Sequence, residues 1–261
     1  DVMAQSLAAQ VLDLLGGEPK NAGKLIFGTA SIKTDEEMEY AIKATEIAER
    51  GYEHMLEICK PGMSECELAL RMRVQMKSIG ADDNFLMLHG TDHPLAVQPS
   101  GERVFVKGDL ILAEITPSYK GQFAQVCRTA ALGTPTDEQV EKYDLVVRAM
   151  KKGIEAARPG AAMKEVCLAI DEVLGEAGYA NYCQPPYMNR RGHGLGISCT
   201  IPGNVSLDNE IILEDGMFFV VHPNQYIPEV GYLLCGEPIA ITADGARRLS
   251  GSWASLGSIQ I

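Results

Sequence analysis

Apolar residues recur along this chain in two different periods, and the switches between them mark its elements. Thr34-Asp35-Glu36-Glu37 has the spacing of a capping box, and Ile42, Ile47, Tyr52, Met55 and Ile58 then fall on one helical face running to Pro61. Thr136-Asp137-Glu138-Gln139 opens a second helix of the same kind, carrying Val146, Met150 and Ile154 before Pro159. Each proline begins a Pro-Gly pair, and each pair is followed by a second helical segment that closes on a glycine 19 residues past the proline, Gly80 and Gly178. Between and after these helices lie short runs rich in β-branched and aliphatic residues. They predict strands over 85–88, 103–106, 110–115 and 121–131, then 217–221, 231–234 and 238–242, with Pro94, Pro99 and Gly101 as breaks.

The repeat extends into the strands. Gly108 stands six residues before Glu114 and Gly216 six residues before His222, each on an apolar run. A duplicated unit places Glu114 and His222 in equivalent positions, and ligand sites favour the seam between such halves. The pattern predicts an α+β fold, with duplicated α/β halves whose helices pack on a curved, mostly antiparallel sheet. Ahead of it, 1–17 has a helical pattern with Val2, Leu7, Val11, Leu14 and Leu15 on one face. We therefore divide the chain into 1–25, a tail or linker, and 26–261, a single body of two halves.

A formal net charge of −12 argues against nucleic acid or an anionic membrane as partner, because both select basic surfaces. No apolar stretch of about 18 residues and no basic-then-apolar leader is present, so a cytoplasmic protein with a small-molecule substrate is expected. The seven cysteines lack CxxC spacing, which disfavours both a disulfide framework and a zinc knuckle. Cys59, Cys66 and Cys167 fall in helical apolar patterns and read as packing residues.

The sharpest local signal is Arg191-Gly192-His193-Gly194-Leu195-Gly196. Three glycines around one histidine allow close approach of backbone to a ligand, with the imidazole directed into a cleft. Together with the Gly108-Asp109 turn, Arg128-Thr129 and the Asp215-Gly216-Met217 turn leading to Pro223, this run resembles the pita-bread superfamily of methionine aminopeptidase, aminopeptidase P, prolidase and creatinase. The resemblance covers roughly 30–250 and implies that 1–25 is the tail of a creatinase-type N-terminal domain. It also implies metal slots on Glu114, Gln125, His193, His222 and Gly236, of which the histidine alone keeps the family's residue, and it sets Thr200 where a second family histidine stands.

On that reading the dinuclear ligands are mostly replaced, and the metal-free creatinase branch fits better. Its catalytic Glu would fall on Cys127 and its catalytic His on His93, or the slot would fall on Gln98 instead. The expectation is a creatinase-like, metal-independent hydrolase or related lyase that cleaves a C–N bond in a small, polar, carboxylated nitrogen compound, with no cofactor and as a homodimer. His93 and His193 would act as acid and base in either order, and Glu114 would orient one imidazole. His222 would join the relay, and Cys127 would be either a thiolate favoured by Arg128 or an inert buried thiol. Gln125, Arg128, Thr200, Tyr232 and Glu237 complete the candidate substrate contacts. Three alternatives stand beside it: a single divalent metal held by Glu114, His193 and His222, a metal-dependent Xaa-Pro aminopeptidase or prolidase, and a pseudoenzyme that serves as a binding module.

Overall fold

The computed structural model describes residues 4–16 and 20–261. The predicted N-terminal helix is α1 (Gln5–Leu15), and its expected ends at 1–3 and 17 lie outside the described residues. After α2 (Gly23–Ser31) come the two long helices anticipated from the capping boxes, α3 (Asp35–Ile58) and, later, α5 (Asp137–Ala156). Both boxes close. Glu37 N–H donates to Thr34 Oγ1 at 3.2 Å while Thr34 N–H donates to Glu37 Oε2 at 2.9 Å, and Thr136 with Gln139 repeats the pair at 3.1 and 2.9 Å. Each satisfies two orphan donors of a first turn. The partner helices are α4 (Glu65–Ser78) and α6 (Met163–Leu174).

The sheet is not continuous. One sheet has the order β1 (Asp83–Thr91), β2 (Leu110–Tyr119), β4 (Val126–Leu132), β11 (Gly257–Ile259), with β3 (Gln122–Phe123) on β2. Its pairings are antiparallel except β11 on β4, which is parallel. The other has the order β10 (Gly245–Arg248), β9 (Glu237–Thr242), β6 (Phe218–Val221), β5 (Gly192–Gly194), all antiparallel. A small hairpin joins β7 (Gln225–Ile227) to β8 (Gly231–Leu233). The sequence pattern did not predict β5, β7, β10 or β11, which are too short to show an alternation. The expected strand at 103–106 is reduced to one bridge, Val104 with Ser64.

Each sheet has its own helix pair and its own core. Ile47, Met55, Met72 and Met76 pack on Ile111, Ala113 and Ile115 in the first half, and Val146, Met150 and Ile170 pack on Phe219, Val221 and Ile239 in the second. Burial of each large apolar side chain contributes about 1.5–3 kcal/mol, so each half carries a substantial core. The halves are stitched by two isolated bridges, Cys127 with Gly236 and Phe123 with Gly196. Both sit beside the residues singled out from the sequence, so the seam of the duplication is also where those side chains collect.

Candidate active site

A cavity of about 640 Å³ opens at this seam. Phe85, Met87, Val97, Phe123, Leu195 and Ile197 make its walls apolar, and Glu114, Thr116, Gln125, Arg190, His193, Ser198 and Cys199 supply its polar surface. Glu114 comes from the middle of β2, opposite Met87 on one side and Cys127 on the other. Gln125 is buried just before β4, and its Oε1 accepts from Thr116 Oγ1 at 3.3 Å. His193 is carried by β5, paired with Val220 on β6 and bridged to Asn204.

The glycines flanking His193 have a different role from the one expected. A Cβ on Gly192 would lie 2.0 Å from the Val220 carbonyl oxygen, and one on Gly194 would lie 2.0 Å from that of Ile201. The loop is glycine-rich so that neighbouring backbone of the same chain can press against it, which fixes the imidazole rather than admitting a ligand. Arg191, which is fully buried, anchors the same loop: its Nε donates to Asp171 at 2.7 Å and Nη1 to Pro223 O at 2.6 Å and to Gln225 Oε1 at 3.0 Å. Its carbonyl in turn accepts from His222 N–H at 2.8 Å. One residue, through its side chain and its carbonyl, thus ties the segments of both histidines together.

His193 is almost buried, and burial pushes its pKa down to about 4, with Arg190 adding to the fall and the Gly194 carbonyl opposing it. A neutral ring whose Nδ1 lies 2.9 Å from a carbonyl must carry its proton there, so Nε2 presents a lone pair. His222 is also nearly buried and is held well below its ordinary value, by burial first and then by His193. The two rings meet edge to face, with centroids 5.2 Å apart. Glu114 shifts the other way, raised by burial and partly restored by Arg190. The site is therefore one of neutral imidazoles beside a carboxyl with diminished acidity.

Several predicted contacts lie elsewhere. Cys127 is completely buried against Leu112 and Leu234, and burial together with Glu114 pushes its thiol well up, so of the two readings the inert buried thiol is favoured over the thiolate. Arg128 is buried in an ion pair with Glu237 at 3.1 Å and donates to the carbonyls of Cys127 and Gly236. Glu237 also accepts from Ser250 Oγ and, at 2.8 Å, from Ala254 N–H. Both groups are occupied by the interior instead of the cavity. His93 stands outside the lining, its Nε2 3.4 Å from the Tyr226 hydroxyl. Thr200 is exposed and hydrogen-bonded to Ser198 at 2.8 Å. Tyr232, half-buried on β8, packs with Leu112, Cys127 and Leu234, and burial raises its pKa. Arg190, Thr116, Ser198 and Cys199 are polar cavity residues that sequence reasoning passed over, Arg190 being the charged one. The adjacency of Arg190 to the Gly-His-Gly run was the available signal.

A family model described as metallopeptidase family M24 matches residues 39–259. The Xaa-Pro dipeptidase of Pyrococcus furiosus is 31% identical over 222 residues, 84% of this chain and 63% of the relative, and the Xaa-Pro dipeptidase of Pyrococcus horikoshii is 29% identical over 236 residues, 89% of this chain and 66% of the relative. The chain thus spans slightly under two thirds of the length of these curated relatives. Among solved structures, the prolidase of Pyrococcus furiosus superposes with a TM-score of 0.86 at 28% identity, covering 96% of this chain and 74% of that one. The X-Pro aminopeptidase of Thermotoga maritima, at 22% identity, shares the fold with a TM-score of 0.89, covering 98% and 73%. The architecture is the α+β pita-bread fold that the sequence predicted.

These relatives overturn two expectations. A metal-independent, creatinase-like C–N hydrolase is displaced by the dipeptidase and prolidase names, and a cofactor-free site is displaced by a family described as metallopeptidases. The side chains of this chain nevertheless do not fit a metal pair. Among the described residues, no three His, Cys, Asp or Glu converge as a donor set. Gln125 is neutral, His222 Nδ1 is engaged by Asn224 at 3.1 Å, and a Cβ at Gly236 would lie 2.7 Å from that of His222.

Proposed function

The chain belongs to metallopeptidase family M24, and on that premise we propose that it binds small Xaa-Pro peptides in the cavity at the seam and hydrolyses them as a prolidase or Xaa-Pro aminopeptidase does. The observation that supports this reading is the cavity itself. At about 640 Å³ it falls in the range of small-ligand sites, and apolar walls converge on a short polar stretch of Glu114, Gln125 and His193. A proline ring suits such walls, and the peptide's amide groups suit that polar stretch. His193 offers an acceptor at Nε2, and Glu114 is available to a substrate ammonium. A homodimer and a cytoplasmic location remain part of this proposal. Among the described residues, no helix is long and apolar enough to cross a membrane.

Alanyl-proline turnover tests the reading, followed with added Mn²⁺ and again with chelator. Hydrolysis that is lost in His193→Ala at an unchanged melting temperature supports it. Binding without turnover in either condition would leave a peptide-binding module, the reading favoured by the missing donor set. No binding of alanyl-proline would overturn both.

A further inference from the structure

The C-terminal half of α5 gathers cations on one face. Arg148, Lys151 and Lys152 stand at helical spacing, Arg158 follows just past the helix, and β10, which packs against α5, brings Arg248 alongside. Trp253, the chain's only tryptophan, lies among them and is 41% exposed. Lys151 Nζ is 4.8 Å from the centre of its ring and Arg248 Cζ 4.4 Å. Arg248 is held there, with Nη1 donating to Ser250 Oγ at 2.8 Å and Nη2 to Gly251 O at 3.4 Å. Among the described residues, none of these cations takes part in an ion pair, although the chain's net charge is −12. A hollow of about 470 Å³ opens beside the tryptophan. Its lining includes Lys151, Ile154, Glu155, Arg158, Asp244 and Trp253, and shares no residue with the cavity at the seam.

We propose that this face is a docking surface for an acidic, extended segment of a partner protein, with Trp253 as the apolar anchor at its centre. The inference is independent of the peptide reading of the seam. A group of unpaired cations on an otherwise acidic protein is a local positive field, and it is complementary to carboxylates. Tryptophan and arginine are the residues that most often carry the energy of an interface, because a large flat ring and a planar guanidinium bury area at little cost in ordering. Here both are already in place, since Arg248 is tied to the backbone and lies over the indole. Glu155 and Asp244 decide between kinds of polyanion. Their carboxylates take N–H donors, which a peptide backbone presents along its length and a phosphodiester backbone does not. A long nucleic acid also meets the acidic remainder of the protein, whereas a short acidic segment needs only this face.

The probe is a fluorescein-labelled peptide of alternating glutamate and leucine, compared with the same peptide carrying glutamine in place of glutamate and with a labelled single-stranded DNA oligomer. Anisotropy gives the dissociation constants, and an unlabelled acidic peptide is followed through the emission of Trp253, which no other tryptophan obscures. The wild type should prefer the acidic peptide over the glutamine peptide by about tenfold or more, bind the DNA more weakly, and change its tryptophan emission as the acidic peptide saturates. The double variant Lys151→Glu, Arg158→Glu should lose that preference with an unchanged melting temperature and an unchanged sedimentation coefficient. Equal affinity for the two peptides, tryptophan emission that stays constant at saturation, or a preference that survives the charge reversal would overturn the assignment. DNA bound as tightly as the acidic peptide would overturn it in favour of nucleic acid, and a charge reversal that dissociates an oligomer would give the face to a second copy of the chain instead.

Discussion

The side-chain amide of Asn224 stands between a backbone donor and His222. Its Oδ1 accepts the Cys235 N–H at 3.1 Å, which turns Nδ2 toward His222 Nδ1, also at 3.1 Å. A backbone N–H can only donate, so the orientation of the amide is settled, and His222 Nδ1 must be the acceptor. With its ring neutral, His222 then carries its proton on Nε2, the reverse of His193. The two histidines of the seam are therefore in opposite tautomers, one offering a lone pair and the other an N–H.

This arrangement is visible to ¹⁵N NMR. His222 should show the Nε2–H pattern and His193 the Nδ1–H pattern near neutral pH. Asn224→Asp replaces the donor with a carboxylate and should move the His222 proton to Nδ1 or raise its pKa. An Nδ1–H signal for His222 in the wild type would contradict the derivation.

Acid stability should report the same two rings. Unfolded, both titrate near 6.5, whereas folded His193 titrates at about 4 and His222 lies well below its ordinary value. Above about 6.5 the contribution of the neutral rings is fully present. As pH falls from 6.5 to 4 the unfolded chain takes up protons that the folded one does not, so stability drops by up to about 1.4 kcal/mol per pH unit for each histidine. Glu114 opposes this, because its raised folded pKa is a penalty that is relieved as pH falls through it. Urea unfolding at pH 7.5 and 5 should show a steeper loss for the wild type than for the double variant His193→Gln, His222→Gln. Equal slopes would mean that the rings are not held neutral.

Gly236 has no room for a side chain. An added Cβ would lie 2.7 Å from His222 Cβ and 3.0 Å from Cys127 Cβ and Sγ, where the two sheets touch. Gly236→Ala should lower stability by about 1–3 kcal/mol, as overpacking does. A melting temperature equal to that of the wild type would show that the seam yields.

The Arg128–Glu237 pair should behave as structure and not as a substrate contact. Arg128→Met leaves Glu237 buried without its partner, a change that typically costs about 3–5 kcal/mol. The double change Arg128→Met, Glu237→Leu should recover much of that loss. Alanyl-proline affinity should be the same in any of these variants that stays folded, and a selective loss of affinity at full stability would return Arg128 to the ligand.

Thiol labelling distinguishes the cysteines. Cys66 and Cys199 are exposed, while Cys127 is buried with a raised pKa, so iodoacetamide at neutral pH should modify the first two and spare Cys127 until the chain unfolds. Rapid labelling of Cys127 in the native protein would revive the nucleophile.

The sequence by itself determined what is local or strictly periodic. The two capping boxes and the helices they open, and the paired positions of Glu114 and His222, can be read without coordinates, because hydrogen bonds a few residues apart and a fixed period encode them. The Gly-His-Gly run likewise announced His193. Tertiary structure decided the rest. Whether Arg128 faces the cleft depends on Glu237, more than 100 residues away in sequence, which draws it into the interior. Whether Cys127 is a thiolate depends on the desolvation imposed by Leu112, on β2, and Leu234, just past β8. The protons of His193 and His222 are placed by Gly194 and by Asn224, and the latter is oriented by a backbone N–H eleven residues on. Charge state, tautomer and access to the cavity are set by what surrounds a group in space, and spacing along the chain does not carry that information.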